Sequence, residues 1–453
     1  MKNSLFGTDG VRGVANVYPM TVDFAMALAM AAAKEICTTK KRVALAKDTR
    51  ISGDMLEAAM IAGFTSQGVD VLQLGVIPTP ALTVLTPRLD VDMAVMITAS
   101  HNPYHDNGIK LVSADGDKFS DKVTSRLEKA VAKGGFDFDK DKLGRVVPCF
   151  GVVDDYVTTV LRAVKRRNPF RGLKLVVDCA NGCFSKIMPA VFQKLGADVV
   201  ALSCEPDGLN INKDCGSQHI EKMCAAVWEN SADLGIAADG DGDRIIVCDE
   251  KGKKIDGDQI LAFLGQYFKA TGELGAITVG ATIVSNPGLD RFLAAKGISC
   301  VRSAVGERYV IDEMRRTGST FGGEESGHMV ASDYSKTGDC LVTALLFVQA
   351  LLNTNKKMSD IFPLFQPMPR LRVDSVFSDN AKMAKAFDKP EFQEAIKEGE
   401  KLLGKDGKVL VRKSGTEPKI QVWVWSDNLE LAAEVNNVIS SPLEKVAGYV
   451  SRK

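Results

Sequence analysis

Three segments of the chain share one order of apolar and polar positions: a short apolar run, a polar turn, an apolar stripe at helical spacing, and a second apolar run. They are RVALAKDTRISGDMLEAAMIAGFTSQGVDVLQLG (42–75), LKLVVDCANGCFSKIMPAVFQKLGADVVALS (173–203) and GAITVGATIVSNPGLDRFLAAKGISCVRSA (275–304). Each stripe ends at a glycine suited to the left-handed cap of a helix, namely Gly68, Gly196 and Gly297. The pattern predicts strand–helix–strand units, and therefore largely parallel sheets covered by helices. Ligands bind such sheets at the carboxyl ends of the strands.

The last quarter of the chain breaks this rhythm. Residues 380–403 are rich in Lys and Glu at helical spacing, KVLVRKSGTEPKIQVWVW alternates as two strands around a turn, and residues 429–446 return to helical spacing. These features predict a small α+β domain. The expected fold class is therefore α/β, with three similar mixed α/β domains in series and a C-terminal α+β domain. The predicted domains are 1–153, 154–255, 256–369 and 370–453.

Composition and charge exclude some classes of protein. Lys and Arg together number 57, as do Asp and Glu, so a zero formal net charge gives no general attraction to nucleic acid or an anionic membrane. The N-terminus lacks an apolar core of signal-peptide type, and the longest apolar runs are shorter than the ~20 residues that span a bilayer. We therefore expect a cytoplasmic protein without nucleic-acid or membrane partners. The ten cysteines form no C-x-x-C pair, and we expect reduced thiols.

The stretch ITASHNPYHDNGIK (97–110) holds two of the four histidines and follows an apolar run that predicts a buried strand. A serine hydrolase would need G-x-S-x-G around Ser100, and the flanking residues differ. A metal site built from His101 and His105 would need both on one helix, which the intervening proline and the following Asn-Gly exclude. Two interpretations remain: a plain structural loop, or a loop in which Ser100, His101 and Lys110 handle phosphate.

The stretch DGDGDR lies between two apolar runs, LGIAA and IIVCD, that predict strands. Its carboxylates, Asp239, Asp241 and Asp243, alternate with glycines that let the backbone bend around one hard cation. An EF-hand loop would have glycine where Arg244 stands and would be flanked by helices. A solvated acidic turn is the other alternative. The pattern favours a magnesium-type site, since Mg²⁺ typically uses few carboxylates together with phosphate oxygens.

Three further stretches carry candidate ligand-binding residues, and for each the alternative is an ordinary surface loop. In GGEESGH, the side chains of Glu324, Ser326 and His328 offer donors and acceptors to sugar hydroxyls. In RKSGTE, a predicted strand leads Arg412 into a turn whose backbone N–H groups and hydroxyls suit an anion. In FGTDGVRG, Arg12 stands within a glycine-dense polar opening.

These five polar stretches occur together and in order, and the ordered set is far more specific than any single member. FGTDGVRG, TASHNP, DGDGDR, GEESGH and RKSGTEP together resemble the α-D-phosphohexomutases, over essentially the whole chain. The resemblance implies four domains that meet around a central active-site cleft.

The resemblance also implies a role for each matched position. Ser100 resembles the phosphoserine that donates and recovers a phosphoryl group. One Mg²⁺ per active site would be held by the phosphoserine with Asp239, Asp241 and Asp243. The sugar would be recognised by Glu324, Ser326 and His328. The non-reacting phosphate would be bound by Arg412, Ser414, Gly415 and Thr416. The catalytic centre would be lined by Arg12, His101 and Lys110, and the last two both remain candidates for the general acid and base.

Within the family, FGTDGVRG, DGLNINKDCGS (207–217) and SGTEP resemble the members that interconvert glucosamine 6-phosphate and glucosamine 1-phosphate. The implied cycle uses a phosphoserine enzyme and a 1,6-bisphosphate intermediate, and would supply UDP-N-acetylglucosamine and cell-envelope precursors. Glucosamine or glucose 1,6-bisphosphate would be an activator. The alternative is a phosphomannomutase or phosphoglucomutase, whose final loop is usually of the SNTTP kind. The expected partner is a small phosphosugar, and a homodimer is compatible with the resemblance.

Three positions depart from those relatives or vary among them. Gln421 stands where an arginine is common, and Lys419, two residues earlier on the predicted strand, faces the same side and is its candidate substitute. Glu307, in VGERYV, replaces an aspartate. Glu325 occupies the variable position of the sugar loop, where a negative charge would favour a protonated amino sugar.

Overall fold

The computed structural model of the protein describes residues 5–7, 9–164, 169–405, 407–414 and 418–452. The chain forms two compact units: the first comprises Met1–Thr282 and Ile298–Leu364, and the second comprises Ile283–Gly297 and Phe365–Lys453. In the described residues there are four β-sheets, three in the first unit and one in the second. Each sheet lies within one of the four predicted domain intervals. The boundaries of those intervals stay a proposal.

The first sheet contains the first strand–helix–strand unit. Its strands are β1 (Val11–Val14), β2 (Arg42–Lys47), β3 (Asp70–Val76), β4 (Met93–Ile97), β5 (Asp106–Ser113) and β6 (Val146–Pro148), in the order β1-β5-β4-β2-β3-β6. The accompanying helices are α1 (Val22–Glu35), α2 (Ser52–Ser66), α3 (Thr79–Leu85) and α4 (Asp121–Lys133). Apolar side chains of α1, α2 and α4 form one core cluster with β2 and β4, for example Leu28, Phe64 and Val95. The middle of β2 is fully buried, as expected for a central parallel strand.

The second sheet contains the second strand–helix–strand segment and lies in the first compact unit. Its helices are α5 (Val152–Val160), α6 (Ile187–Lys194) and α7 (Glu221–Glu229). Its strands are β7 (Lys174–Asp178), β8 (Asp198–Leu202), β9 (Leu234–Ala238), β10 (Ile245–Asp249) and β11 (Lys254–Ile255), in the order β11-β10-β9-β7-β8. All five residues of β9 and all five of β10 are buried, so the acidic stretch between them emerges from the middle of the core.

The third sheet contains the third strand–helix–strand segment. Its strands are β12 (Thr278–Thr282), β13 (Ser299–Ser303), β14 (Phe321–Gly323) and β15 (Met329–Ala331), in the order β13-β12-β14-β15. The helices of this region are α8 (Gly257–Thr271), α9 (Pro287–Ala295), α10 (Glu307–Thr317) and α11 (Cys340–Thr354). Although α9 connects β12 to β13, it belongs to the second compact unit.

The fourth sheet, in the second unit, is antiparallel throughout. Its strands are β16 (Arg370–Val376), β17 (Gly407–Lys413), β18 (Lys419–Ser426) and β19 (Tyr449–Arg452), and its helices are α12 (Asn380–Phe387), α13 (Pro390–Leu403) and α14 (Leu429–Glu444). The predicted strand pair and final helix are confirmed. The helical spacing over 380–403 is confirmed, but as two helices, because Pro390 starts a new helix and holds Lys389 in an extended conformation.

The three strand–helix–strand units are confirmed, each with a parallel strand pair: β2 with β3, β7 with β8, and β12 with β13. The glycines that follow their helices have φ of +76°, +97° and +64° for Gly68, Gly196 and Gly297. The expectation of largely parallel sheets is corrected, since β4–β5, β9–β10 and β14–β15 are antiparallel. Those three antiparallel connections carry the stretches TASHNP, DGDGDR and GEESGH.

The described helices and the cysteines bear on two further expectations. In the part of the chain that the structure describes, every helix is too short or too polar to cross a bilayer. All ten cysteines are free, as predicted. Burial raises the pKa of the Cys37 thiol to about 12, so this group is an inert part of the core at neutral pH.

Candidate active site

Ser100 lies in the connection between β4 and β5 and is completely buried. Its backbone has a left-handed φ of 53°, and its N–H donates to Thr98 Oγ1 at 2.9 Å. The hydroxyl donates to Asp239 Oδ2 at 2.9 Å and lies 3.4 Å from His101 Nδ1. The predicted nucleophile and the first predicted metal ligand are therefore in contact, although they are 139 residues apart in the chain.

The acidic stretch turns all three carboxylates towards one point. Asp239, Asp241 and Asp243 are buried, and one oxygen of each lies within 4.8 Å of the others. Asp241 Oδ1 and Asp243 Oδ1 have no hydrogen-bond partner among the described residues. Burial, together with the other two carboxylates, raises the pKa of Asp239 well above its usual value. A divalent cation would satisfy these oxygens and offset the repulsion, so the cluster fits a hard metal ion.

Glycines shape the acidic stretch. Gly242 has φ +79°, and a Cβ there would lie 2.3 Å from Phe184 Cε2. A Cβ on Gly182 would lie 2.2 Å from the carbonyl oxygen of Gly240, so two loops touch backbone to backbone. At Gly242 a side chain would add left-handed strain to the clash with Phe184, and at Gly182 it would push the two loops apart. The alternation of Asp and Gly therefore serves to aim the carboxylates as well as to supply them.

Lys110, on β5, contacts two of the aspartates. Its Nζ lies 2.7 Å from Asp241 Oδ2, 3.2 Å from Asp243 Oδ2 and 3.0 Å from Asp9 Oδ2. Burial opposes its charge, but these three carboxylates outweigh it and raise the pKa of Lys110 well above its usual value. The ammonium group is therefore positively charged at neutral pH and offers no lone pair to accept a proton.

Arg12 and His101 flank the nucleophile. Arg12, on β1, donates from Nη1 to the carbonyl of Ala99 at 3.3 Å and from Nη2 to Asp9. Burial and the nearby guanidinium groups of Arg244 and Arg12 lower the pKa of His101 to about 3. The imidazole is therefore neutral at physiological pH and retains a nitrogen lone pair near the Ser100 hydroxyl.

The GEESGH stretch is joined directly to the acidic stretch. Arg244 and His328 form an isolated antiparallel β-bridge, and Ile245 N–H donates to the carbonyl of Gly327 at 3.0 Å. The side chain of Glu324 accepts a hydrogen bond from the backbone N–H of Gly306 at 3.0 Å. Thus the predicted sugar loop and the predicted metal loop are hydrogen-bonded to each other through their backbones.

Within that loop the predicted side chains have different environments. Ser326 is exposed, whereas Glu324 and His328 are buried. His328 Nε2 lies 2.8 Å from Glu307 Oε1, and Nδ1 lies 3.9 Å from Asp243 Oδ1. Burial opposes the charged imidazolium, but the carboxylates of Glu307 and Asp243 raise the pKa of His328 to about 9. His328 is therefore a cation at neutral pH, in contrast to His101.

The predicted phosphate loop belongs to the second compact unit. Arg412 lies on β17, and Ser414, which follows this strand, donates its N–H to the carbonyl of Lys419 at 2.9 Å. Gly415 and Thr416 lie outside the described residues. Binding of the non-reacting phosphate by these residues therefore stays a prediction.

The departure at Gln421 has a defined structural setting. Gln421 is buried on β18, and its strand partners are Arg412 on one side and Asp374 on the other. Lys419 lies on the same strand, with Nζ 4.0 Å from Asp374 Oδ2. An acidic neighbour thus shares the face on which Lys419 was expected to substitute for arginine.

Sequence reasoning missed three polar residues: Thr79 contacts the aspartates directly, and Asp9 and Lys118 join the same polar network through Lys110. Asp9 accepts from Lys118 Nζ at 2.6 Å, and Thr79 Oγ1 donates to Asp241 Oδ2 at 2.6 Å. The signal for Asp9 was its place beside Arg12 in FGTDGVRG. The signal for Thr79 was its position just after β3, at the end of a parallel strand where ligand sites gather. Lys118 follows β5 without any distinctive motif, so no local signal identifies it.

Models of known domain families match nearly the whole chain. The matches are Phosphoglucomutase/phosphomannomutase alpha/beta/alpha domains I (3–137), II (154–252) and III (256–368), and the C-terminal domain of the same family (370–440). Similar solved structures include a phosphoglucomutase/phosphomannomutase family protein from Burkholderia thailandensis, with TM-score 0.80, 23% identity and 98% coverage of each chain. Another is Aspergillus fumigatus N-acetylphosphoglucosamine mutase in complex with GlcNAc-6P and magnesium, with TM-score 0.68, 16% identity, and 98% and 96% coverage. At these identities the structures support the fold alone.

Relatives with higher identity define the family more narrowly. The phosphoglucosamine mutase of Parvibaculum lavamentivorans is 45% identical, over 98% of this chain and 99% of its own length. That of Paramagnetospirillum magneticum is 43% identical, over 99% of this chain and its own full length. The chain therefore belongs to the α-D-phosphohexomutase family of isomerases, and within it to the phosphoglucosamine mutases.

Proposed function

We propose that the protein interconverts glucosamine 6-phosphate and glucosamine 1-phosphate through a phosphorylated Ser100. The observation that carries this proposal is the hydrogen bond between Ser100 and Asp239 within a buried group of carboxylates and cations. Phosphoryl transfer depends mainly on positioning and charge neutralisation, and this arrangement is suited to both. The phosphoglucosamine mutase relatives support the choice of substrate.

The metal that suits this site is Mg²⁺. Asp239, Asp241 and Asp243 offer oxygen ligands alone, and two of their buried oxygens lack hydrogen-bond partners among the described residues, which favours a hard cation. Phosphorylated Ser100 would complete the ligand set, because its hydroxyl already contacts Asp239. When bound, the ion would polarise the phosphoryl group and neutralise its charge.

The protein's own cations would share that neutralisation. A phosphoserine carries a charge of about −2, and Lys110, Arg12 and Arg244 lie around the Ser100 connection and the aspartates. The raised pKa of Lys110 makes it an electrostatic group rather than a base. His101 is neutral and keeps a nitrogen lone pair 3.4 Å from Ser100 Oγ, so its position suits it to accept a proton from the attacking sugar hydroxyl, while the cations that lower its pKa make it a weak base.

The cycle consists of two phosphoryl transfers. In the first, O1 of glucosamine 6-phosphate attacks the phosphorus, the bond from Ser100 Oγ to phosphorus breaks, and the O1 proton moves to the base. The resulting 1,6-bisphosphate reorients. In the second transfer, Ser100 Oγ recovers the phosphoryl group from O6, which takes back a proton, and glucosamine 1-phosphate leaves. A 1,6-bisphosphate of glucosamine or glucose would therefore activate unphosphorylated enzyme. The cytoplasmic location and the homodimer stay predictions.

Intact-protein mass spectrometry tests the proposal directly. After treatment with glucosamine 1,6-bisphosphate and Mg²⁺, a species heavier by about 80 Da should appear and map to Ser100. Ser100→Ala should abolish this gain, and Ser120→Ala, which removes a hydroxyl that makes no capping bond at α4, should retain it. Absence of phosphate on Ser100 would contradict the mechanism. The alternative, a phosphomannomutase or phosphoglucomutase, predicts a higher kcat/KM on mannose or glucose phosphates than on glucosamine phosphates.

A further inference from the structure

The backbone carbonyls around Ser100 converge on a single buried guanidinium group. Arg50 Nη2 donates to the carbonyls of Ser100 at 2.9 Å and Asn102 at 2.8 Å. Its Nη1 donates to the carbonyl of Asp106 at 3.0 Å and to that of Pro103. One planar side chain therefore binds three carbonyls of the connection that carries the nucleophile, together with the carbonyl of the first residue of β5.

Arg50 is itself held rigidly. Its Nε donates to Asp48 Oδ2 at 2.8 Å, and both side chains have no exposed surface. Thr98 Oγ1 donates to the same carboxylate oxygen at 2.6 Å and accepts the N–H of Ser100 at 2.9 Å. These bonds form a closed ring that returns to Ser100 through its own N–H and C=O groups.

A second donor to two of the same carbonyls comes from the DGLNINKDCGS stretch. Asn212 Nδ2 donates to the carbonyls of Ser100 at 2.8 Å and Asn102 at 3.0 Å. In the same stretch, the carbonyl of Gly208 accepts the N–H of Ile51 at 3.0 Å. This stretch resembles that of relatives acting on glucosamine phosphates, but nothing in the sequence showed what it does. In the fold it contacts the nucleophile's connection.

The hydrogen bonds from Arg50 and Asn212, together called the clamp, meet a specific need of Ser100. A left-handed φ is unfavourable for any residue other than glycine, and the nucleophile must keep its side chain. Donors that bind the carbonyl of Ser100 itself and that of Asn102 stabilise the conformation that directs Oγ to Asp239. We propose that Arg50 and Asn212 are positioning residues for phosphoryl transfer, which hold Ser100 where its hydroxyl or phosphate faces the aspartates. This inference rests on the proposed function.

A test independent of turnover is amide hydrogen exchange of the peptide that spans residues 98–108. Asn212→Ala and Arg50→Lys should each accelerate exchange there by about tenfold, since each removes bonds that hold the connection closed. Asn210→Ala is the matched control, because its side chain bonds Glu205 and Asp207 of its own loop. Its exchange profile over 98–108 should equal that of the wild type. Unchanged exchange in Asn212→Ala would overturn the proposal, whatever the protein's substrate.

The kinetic test separates positioning from sugar binding. Asn212→Ala should lower kcat by about tenfold to a hundredfold and slow Ser100 phosphorylation in parallel, with KM for glucosamine 1-phosphate within about twofold. Asn210→Ala should leave both constants within about twofold. A raised KM with unchanged kcat would assign Asn212 to sugar binding and overturn the proposal. If the wild type fails to isomerise glucosamine phosphates, the proposed function fails, and the exchange experiment still decides the positioning role.

Discussion

The Ser100 connection and the acidic connection hold their reactive groups by opposite means. Each follows a completely buried strand, joins an antiparallel pair and turns polar side chains into the protein interior. In the first connection, Ser100 has the left-handed backbone, and side chains of distant loops donate hydrogen bonds to its carbonyl. In the second, Gly242 has the left-handed backbone, and close packing against Phe184 holds it.

This difference follows from where the reactive group lies relative to the strained residue. The nucleophile of the first connection is the strained residue itself, so glycine cannot replace it and hydrogen bonds must stabilise it. The acidic connection places its carboxylates on alternate residues and leaves the left-handed position to the glycine between them. The first connection is thus expected to be sensitive to loss of distant donors, and the second to addition of a single methyl group.

Asp239→Asn tests whether the carboxylates of the acidic connection take part in the chemistry as well as in the structure. Asp239→Asn keeps the shape of the side chain but removes the charge that faces Ser100 Oγ. We expect mutase activity to fall by about a thousandfold or more, since a metal ion contributes several kcal/mol to stabilising the transition state. Titration with Mn²⁺ monitored by electron paramagnetic resonance should show the matching loss of metal affinity.

The control for this variant is removal and return of the metal. Wild-type activity should vanish in EDTA and recover with added Mg²⁺, whereas the activity of Asp239→Asn should not recover at the same concentration. Full activity of the variant in either condition would show that Asp239 serves only to shape its connection.

Gly242→Ala tests the close packing directly. The new Cβ would lie 2.3 Å from Phe184 Cε2, and the residue would keep its φ of +79°. We expect the free energy of unfolding to fall by about 3 kcal/mol, as the sum of overpacking and left-handed strain. Urea denaturation measures this loss.

Gly172→Ala is the matched comparison for that variant. Gly172 has φ +88°, and a Cβ there would meet nothing within 4 Å. Its substitution should therefore cost only about 1 kcal/mol, from backbone strain alone. Equal losses for the two variants would mean that packing against Phe184 contributes nothing to the acidic connection.

A smaller effect concerns the start of α11, which closes over the acidic connection through a bond from Cys340 N–H to the carbonyl of Gly242 at 3.0 Å. Asp339 caps this helix by accepting the N–H of Val342 at 3.0 Å, and burial raises the pKa of its carboxyl to about 6. A raised acid pKa gives stability that is complete below the unfolded value near 4 and is lost as the pH rises through about 6. Relative to wild type, Asp339→Asn should therefore gain about 1–2 kcal/mol of unfolding free energy between pH 5 and pH 7.5.

Urea denaturation across that pH range, for both proteins, gives this difference. Asp154→Asn, at an exposed position of α5, provides the control, and its difference from wild type should stay constant. A constant difference for Asp339→Asn as well would mean that the carboxyl is already ionised in the fold below pH 5.

Local patterns in the sequence predicted the framework well, because the framework is locally encoded. The apolar runs of β2, β7 and β12 and the glycines that end their helices are visible without knowledge of distant residues. The break at Pro390 is also locally encoded, since a proline starts a new helix within the Lys/Glu-rich stretch. That α9 belongs to the second compact unit was not visible, since its own pattern matches that of α2 and α6.

The candidate site was predictable only where a motif carries it. The acidic stretch was identified because alternation of Asp and Gly is unusual, whereas the DTR that contains Arg50 looks like any polar turn after a strand. Asn212 lies 112 residues from Ser100, and only the fold shows that its side chain reaches the carbonyl of Ser100. Contacts between distant loops depend on how domains pack, which local periodicity does not specify.

His105 lies inside the Ser100 connection but takes no part in the hydrogen bonds from Arg50 and Asn212. The side chain of His105 is 55% exposed, and its Nε2 lies 3.8 Å from Asp106 Oδ1. A surface contact of this kind contributes little, so His105→Ala should change kcat by less than about twofold and the unfolding free energy by less than about 0.5 kcal/mol. Steady-state kinetics and urea denaturation beside Asn212→Ala would give both numbers. If His105→Ala lowered kcat as much as Asn212→Ala, the connection would be sensitive at every position. Its geometry would then depend on the connection's own side chains rather than on donors from distant loops.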